Sequence, residues 1–301
     1  MKTNYNEKLG FLSSISASAL FALATLYVQI LKPLSGFVIA GQRIIWTSLA
    51  MIVCLLIVGQ FKKTVRPLTN PAALPGLILG SLLIGLQWGL FVWAPVNGKT
   101  LDLSLGYFLA PIVMVFVGRI FLSEKLYTMQ WGAVLLASVG IIYTFYSSGG
   151  FSWVTLLVAL GYPAYFLLRR FQALPPISAF FIENLLLVPL AIGGCIYFSH
   201  GIQPFDYSGQ MLLAFLGLAL LGSAGMICLL TASRQLPISL FGLLGYLEPV
   251  LIFLVAICFL GESVLKSELL TYILIVAALG LLAVDKMYRY SASIKKHDIH
   301  T

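Results

Sequence analysis

The stretch FLAPIVMVFVGRIFLSE, residues 108–124, returns 138 residues later as YLEPVLIFLVAICFLGE, residues 246–262. Leu109/Leu247, Pro111/Pro249, Val117/Val255, Phe121/Phe259, Leu122/Leu260 and Glu124/Glu262 are identical in this ungapped alignment. Apolar runs match by chance, but a proline followed thirteen residues later by a glutamate, twice over, does not. The two windows fall in the fourth and ninth of ten apolar segments, so five segments make one unit and five the next. Five is odd, so the second unit should enter the membrane upside down, with Glu124 facing one side and Glu262 the other. Inverted repeats of this kind build secondary transporters whose solute site lies near mid-membrane between the halves.

Working outward, the composition supports a membrane setting. The chain is 60% hydrophobic and only 9% charged, with a mean hydropathy of +1.00. A soluble chain carries about 25% charged residues to solvate its surface, so lipid is the expected solvent here. The ten segments run approximately over Leu9–Leu31, Gly36–Gly59, Leu74–Pro95, Leu103–Leu122, Met129–Tyr146, Phe151–Leu168, Ile177–Phe198, Met211–Ala232, Ile238–Leu260 and Leu269–Val284. Each approaches the roughly 20 residues needed to cross a hydrocarbon core. The expected organisation is a tail over 1–8, a first repeat over 9–146, a second over 151–284 and a tail over 285–301. The turn between repeats is assigned to Ser147-Ser148-Gly149-Gly150. Small residues near Ser16 could suit a signal peptidase, but the first apolar run outlasts a signal-peptide core and reads as a retained helix.

Charge gives the orientation. Fourteen lysines and arginines fall on the side of the N-terminus, against Lys32, Lys99 and Lys266 on the other, with Arg43 inside a segment. Positive residues favour the cytoplasmic face, so both termini are expected there, in a bacterial inner membrane. The net charge of +8 does not point to nucleic acid, because the basic residues lie in short clusters between apolar runs. Cys54, Cys195, Cys228 and Cys258 lack zinc-site spacing, and His200, His297 and His300 fall in a loop or the tail. No metal or cofactor is expected. The expected partners are the bilayer and a small-molecule substrate; the oligomeric state is not written in the sequence.

The paired proline-to-glutamate windows resemble the EamA repeat of the drug/metabolite transporter superfamily. Gly41-Gln-Arg-Ile-Ile-Trp46, Ser104-Leu-Gly-Tyr-Phe-Leu-Ala-Pro111, the run of Trp88, Phe91, Trp93 and Asn97, and Ile182-Glu183 are similar to its RarD subgroup. The resemblance covers nearly the whole chain. It implies an all-α integral membrane protein with ten transmembrane helices in two inverted five-helix EamA-type repeats, acting as an inner-membrane permease. Glu248, before Pro249, departs from RarD sequences, which tend to be uncharged there, and follows generic EamA repeats.

Polar residues within membrane segments are costly and are functional candidates by default. Gln42 and Arg43 lie about seven residues into the second segment, roughly 10 Å deep at 1.5 Å per residue. Arg43 reads two ways: as a fixed cation offering a bidentate fork to an anionic solute, or as half of an ion pair with Glu248 or Asp102. Glu248 can carry a proton or bond the carbonyls freed by Pro249. Gln87, Trp88, Trp93, Asn97, Tyr107, Glu183 beside Asn184, and Tyr246 are the other cavity candidates, with packing as the alternative for each aromatic. Pro111 and Pro249, with Gly106 and Gly245, mark a symmetric hinge pair, since proline removes a backbone donor and kinks helices. Glu124 and Glu262 read as loop-pinning groups outside the site. No HExxH zinc pattern and no Walker A loop is present, which argues against a membrane-embedded hydrolase and against ATP-driven action by this chain alone. Three classes remain: a secondary permease, which the resemblance implies exports amino acids or drug-like metabolites; a non-transporting membrane partner or assembly protein; and, with least support, a membrane-embedded enzyme.

Overall fold

The computed structural model describes residues 6–31, 34–148, 152–172, 174–199, 206–260 and 266–298, and all structural statements below concern these. His200, His300, Gly149, Gly150 and Glu262 lie outside them, and the His297 side chain is likewise not described. The described residues form twelve α-helices and no strand: α1 (Glu7–Val28), α2 (Gly36–Ile57), α3 (Phe61–Val65), α4 (Leu74–Val96), α5 (Thr100–Phe121), α6 (Thr128–Ser148), α7 (Trp153–Phe171), α8 (Pro176–Phe198), α9 (Gly209–Gln235), α10 (Ile238–Leu244), α11 (Leu247–Leu260) and α12 (Lys266–Asp298). Ten stretches are long and apolar enough to cross a membrane; α10 and α11 together supply one of them, Ile238–Phe259.

Local chemistry explains where these helices begin and end. Four start on a side-chain cap: Asn6, Ser35, Ser152 and Ser208 accept from the amides of Leu9, Val38, Thr155 and Met211. Such caps satisfy amide donors that have no partner within the helix. At the other end, α2 and α4 stop on Gly59 (φ 70) and Gly98 (φ 69). The Gln60 amide reaches back to Leu55 O at 2.9 Å and the Lys99 amide to Ala94 O at 2.8 Å. Both closures have the six-residue Schellman geometry that needs a left-handed residue, hence glycine.

Several expectations about boundaries need correction. Between the second and third segments the stretch 60–70 carries α3 and a 3-10 turn, Arg66–Thr69, with Thr64 buried and Phe61 edge-on to Phe181 at 6.0 Å. The last helix continues through Asp298, well past Val284, and Asp285 is buried and accepts from Gln130 Nε2 at 3.3 Å. The stretch expected as the C-terminal tail is thus helical through Asp298. The ninth segment, expected as one helix, is broken at Gly245–Tyr246.

The helices pair in a pattern that survives exchange of the two halves. α2 lies against α8, with Gly41 facing Ala191 and Cys195; α5 lies against α10, with Gly118 facing Ser239 and Gly242 facing Met114; α6 lies against α12, with Gly132 facing Leu281 and Gly140 facing Thr271. In these pairs the numbers rise along one helix as they fall along the other (Phe37 stacks on Phe198 while Gly41 meets Ala191), so the second, fourth and fifth spans are antiparallel to the seventh, ninth and tenth. The remaining main contacts exchange with one another: α1·α9 with α4·α7, α5·α7 with α1·α11, and α2·α9 with α4·α8. This is what an inverted duplication requires. Small residues at these crossings let backbones approach, which is how membrane helices gain packing without a hydrophobic force between them. Gly106, under Val158 and the Thr155 carbonyl, does so between α5 and α7. The outward surface is rich in exposed leucine, isoleucine and phenylalanine, as lipid contact demands.

The two prolines of the repeat behave differently. α5 runs unbroken through Pro111, whereas in the second half α10 ends at Leu244 and α11 starts at Leu247, with Pro249 in its first turn. Pro249 has no amide to donate to Gly245 O, and the chain turns through Gly245 (amide to Gly242 O, 2.9 Å) and Tyr246 (amide to Leu243 O, 3.3 Å). The first half carries Tyr107 where the second has Gly245, and glycine is the poorer helix former.

Candidate functional site

The structure brings Arg43 of α2, Trp88 of α4, Tyr107 of α5 and Glu248 of α11 into one cluster. Tyr162 of α7 joins them. The Arg43 guanidinium carbon lies 4.5 Å from the centre of the Trp88 ring, a favourable cation–π contact. Gly222 of α9 leaves the arginine stem room at ordinary contact distance. Tyr107 and Tyr162 share a side-chain hydrogen bond, with ring centroids 5.7 Å apart. Both interact electrostatically with Arg43 and with Glu248, so the tyrosine pair bridges the neighbourhoods of the two charges.

All five side chains are partly buried, and together they make a mixed polar and aromatic cluster between the helices. Arg43 is not in an ion pair with Glu248 or Asp102. The ion pairs among the described residues are Lys99–Asp102 at 3.2 Å, Arg169–Glu183 at 3.7 Å and Lys286–Glu7. Tyr162 was missed at the sequence level because it is neutral and its partners lie on other segments. Its helical spacing with Val158 and Phe166, all facing inward, was the available signal.

Other candidates stand apart. Gln42 is buried and accepts from Trp46 Nε1 at 3.2 Å. Gln87 is buried, donates to Leu157 O at 3.1 Å and packs on Gly161, tying α4 to α7. Trp93 packs on Trp153 with centroids 5.3 Å apart, and Asn97 is exposed and donates to Trp93 O at 2.8 Å. Tyr246 is buried and donates to Phe108 O at 2.8 Å. Pro111 is buried with its carbonyl against Gly242, and Pro249 is partly buried at the break.

Glu183 belongs to a second polar cluster. It accepts from Tyr165 Oη at 2.7 Å and faces Arg169, itself only 2% exposed. Arg169 Nη1 also donates to Gln172 Oε1. At the same end, Arg234 donates to the Arg169 carbonyl at 2.9 Å and to that of Gln172, while Arg170 donates to Leu236 O at 2.5 Å. Glu124 adds a further closure. Ser123 (φ 54) reverses the chain after α5, and the Glu124 carboxylate accepts from the Ile238 amide at 2.7 Å, the Ser239 amide at 2.8 Å and the Ser239 hydroxyl at 2.7 Å. This end of the bundle is laced shut by charge-assisted bonds. A groove of about 420 Å³ along α4, lined by Pro71, Leu74, Pro75, Ile78, Leu79 and Leu82, is apolar, lies on the outer surface and contains none of the candidate residues.

The EamA-like transporter family matches residues 150–284. The chloramphenicol-sensitive protein RarD of Pseudomonas aeruginosa is 40% identical over 268 residues, spanning 87% of this chain and 89% of that protein. The chain belongs to the EamA family, in its RarD subgroup. An uncharacterized transporter of Haemophilus influenzae is 34% identical over 294 residues, covering 94% of this chain and 95% of the relative. The protein RarD of Escherichia coli K12 is 29% identical over 284 residues, covering 93% and 95%. A crystal structure superposes with a TM-score of 0.70 over 92% of this chain and 97% of that one; at 17% identity it bears on the fold alone. This EamA protein is thus a multi-pass membrane transporter of the drug/metabolite transporter type. The family match covers the second half, where the helix break and Glu248 lie.

Proposed function

We propose that the chain is a secondary permease of the bacterial inner membrane, exporting a small metabolite or drug-like solute by alternating access around the Arg43–Glu248 cavity. The observation that carries this reading is a pair of opposite charges within the bundle that are not bonded to each other. An unpaired buried charge is costly, and a protein that keeps two of them apart gains a site for a polar passenger. The two repeats are proposed to span 9–146 and 151–284 and to rock about that site, bending at Gly106–Pro111 in one half and at Gly245–Pro249 in the other. The positive-inside bias puts both termini in the cytoplasm. The end laced by Arg170, Arg234 and Glu124 is then the cytoplasmic one. In this conformation the cavity is closed on that side, and release of those bonds is the step that admits solute from within.

The test uses the purified chain in liposomes loaded with a bacterial cytosolic metabolite extract. A Lys99→Cys reporter identifies by impermeant labelling the molecules oriented with that loop outward. At least one solute should leave faster than from protein-free liposomes, and Arg43→Ala should reduce that efflux by roughly 30-fold or more, the scale for removing one member of a buried charged contact. Unchanged contents in the wild-type vesicles would leave the chain a non-transporting membrane partner.

A further inference from the structure

The connection between α2 and α4 carries a cationic patch whose charges are not engaged within the protein. Lys62, Lys63 and Arg66 are all exposed. No aspartate or glutamate occurs between Glu7 and Asp102, and none of the three side chains makes a hydrogen bond or ion pair among the described residues. Other cations at this end do have partners: Lys286 holds Glu7, Arg169 faces Glu183, and Arg170 and Arg234 donate to backbone carbonyls. The patch is also fixed in place. Thr64 is buried, Phe61 stands edge-on to Phe181 of α8, and Val65 and Leu68 pack against the same core. With its inner side tied to the bundle, this turn presents its three cations outward.

The apolar groove along α4 begins where this patch ends. Pro71 stands at the end nearest Arg66 in the chain, and Leu74, Pro75, Ile78, Leu79 and Leu82 follow at helical spacing along one face. Pro71 precedes the span that starts at Leu74, so the groove runs from the membrane edge inward. From Leu74 to Leu82 it covers about 12 Å at 1.5 Å per residue, most of one leaflet of a hydrocarbon core about 30 Å thick. Ile78, Leu79 and Leu82 are exposed, so no helix of the chain covers it.

We propose that this corner binds an anionic phospholipid, with the phosphate headgroup on Lys62, Lys63 and Arg66 and an acyl chain in the groove along α4. Cations outside the span and an apolar groove within it match the two parts of such a molecule in the order in which a membrane presents them. A soluble anion would use the cations and leave the groove empty. A zwitterionic lipid would fill the groove but bring a fourth positive group to the patch. Each basic residue beside an anionic membrane surface strengthens attachment roughly fivefold, and the guanidinium of Arg66 can meet a phosphate with two parallel bonds. The excess of lysine and arginine that orients a membrane chain needs no groove; this corner pairs the two, and so holds one lipid at a defined place.

Native mass spectrometry of the purified full chain in detergent reads the lipid bound per molecule. Offered equal amounts of phosphatidylglycerol and phosphatidylethanolamine with the same acyl chains, the chain should retain one phosphatidylglycerol at least tenfold more often. Lys62→Gln/Arg66→Gln should lower that retention at least tenfold and leave phosphatidylethanolamine unchanged. Lys8→Gln/Lys125→Gln, which removes the same charge from exposed positions elsewhere at this end, should change neither. Ile78→Trp/Leu82→Trp, which fills the groove, should reduce retention of both lipids. Every substitution is at an exposed position, so each variant should keep the wild-type melting temperature in lipid-free detergent. Glycerophosphoglycerol, the same headgroup without chains, should fail to displace the lipid at a hundredfold excess. Equal retention of the two lipids by the wild type, or equal losses in the two charge variants, overturns the site. Displacement by glycerophosphoglycerol at the lipid's own concentration also overturns it, and would make the patch a receptor for soluble anions.

Discussion

The stretch around Pro111 and the stretch around Pro249 began as one sequence pattern and ended as two structures. In α5 the helix runs through its proline with Ala110, 5% exposed, packed beside it. In the second half the chain breaks at Gly245–Tyr246, and the residue matching Ala110 is Glu248, which is only partly buried. Proline alone therefore does not open a membrane helix. The break arises where glycine precedes it and where Tyr246 is tied sideways to Phe108 O. One half thus supplies a continuous wall and the other a discontinuous helix that can present a charge, an arrangement that transporter folds use to build ion and solute sites.

The sharpest way to break this comparison is to move the charge. Ala110→Glu puts a carboxylate where the alanine is buried in packing. A charged residue at a helix centre costs about 2.5–3.5 kcal/mol on the insertion scale. The variant should lose its monodisperse peak in detergent, while Glu248→Gln keeps it. Recovery of folded Ala110→Glu at wild-type yield would show that the two halves are interchangeable at this position. Next in size is Glu124. The start of α10 is capped by Glu124 from the connection after α5, whereas α5 starts at Lys99 without a side-chain cap. Glu124→Ala should cost about 1–2 kcal/mol, as lost caps do, and appear as a lower melting temperature. It should also expose Ser239→Cys to a maleimide added from the cytoplasmic side. A thermally silent Glu124→Ala would remove that bond from the closure of this end. The smallest effect is expected from Tyr246→Phe, which deletes the hydroxyl held by Phe108 O and should cost about 1 kcal/mol, with the break retained because Gly245 and Pro249 remain. If circular dichroism instead reports a gain in helix, the tyrosine rather than the glycine divides the span.

Much of the fold was legible because lipid imposes a simple rule: every span must be apolar and about 20 residues long. The inverted repeat was legible because Pro111/Pro249 and Glu124/Glu262 survive in a background of interchangeable leucines and valines. Arg43 and Glu248 stood out because charge within a span is rare. What the sequence withheld depends on partners from distant segments. Glu183 looked like Glu248 until Arg169 and Tyr165 were found beside it. Tyr162 had no polar neighbour in its own segment and gains its meaning only from Tyr107. Gln87 donates to Leu157 O, a backbone partner 70 residues away that its own segment gives no sign of. The ends of α12 and the helical α3 were obscured because amphipathic juxtamembrane turns carry too many charges to register as spans.

The bond from Tyr246 to Phe108 O joins two residues that occupy the same place in the two repeats. They therefore sit on the axis that relates the halves. In a symmetric dimer of separate copies, the position on such an axis meets itself, and two tyrosines there would have to compete for one geometry. A single gene carrying both copies is released from that constraint, because donor and acceptor can be written separately. The same freedom lets one copy hold Ala110 and the other Glu248. Fusion, on this view, is what allows a symmetric scaffold to carry unlike side chains at equivalent places.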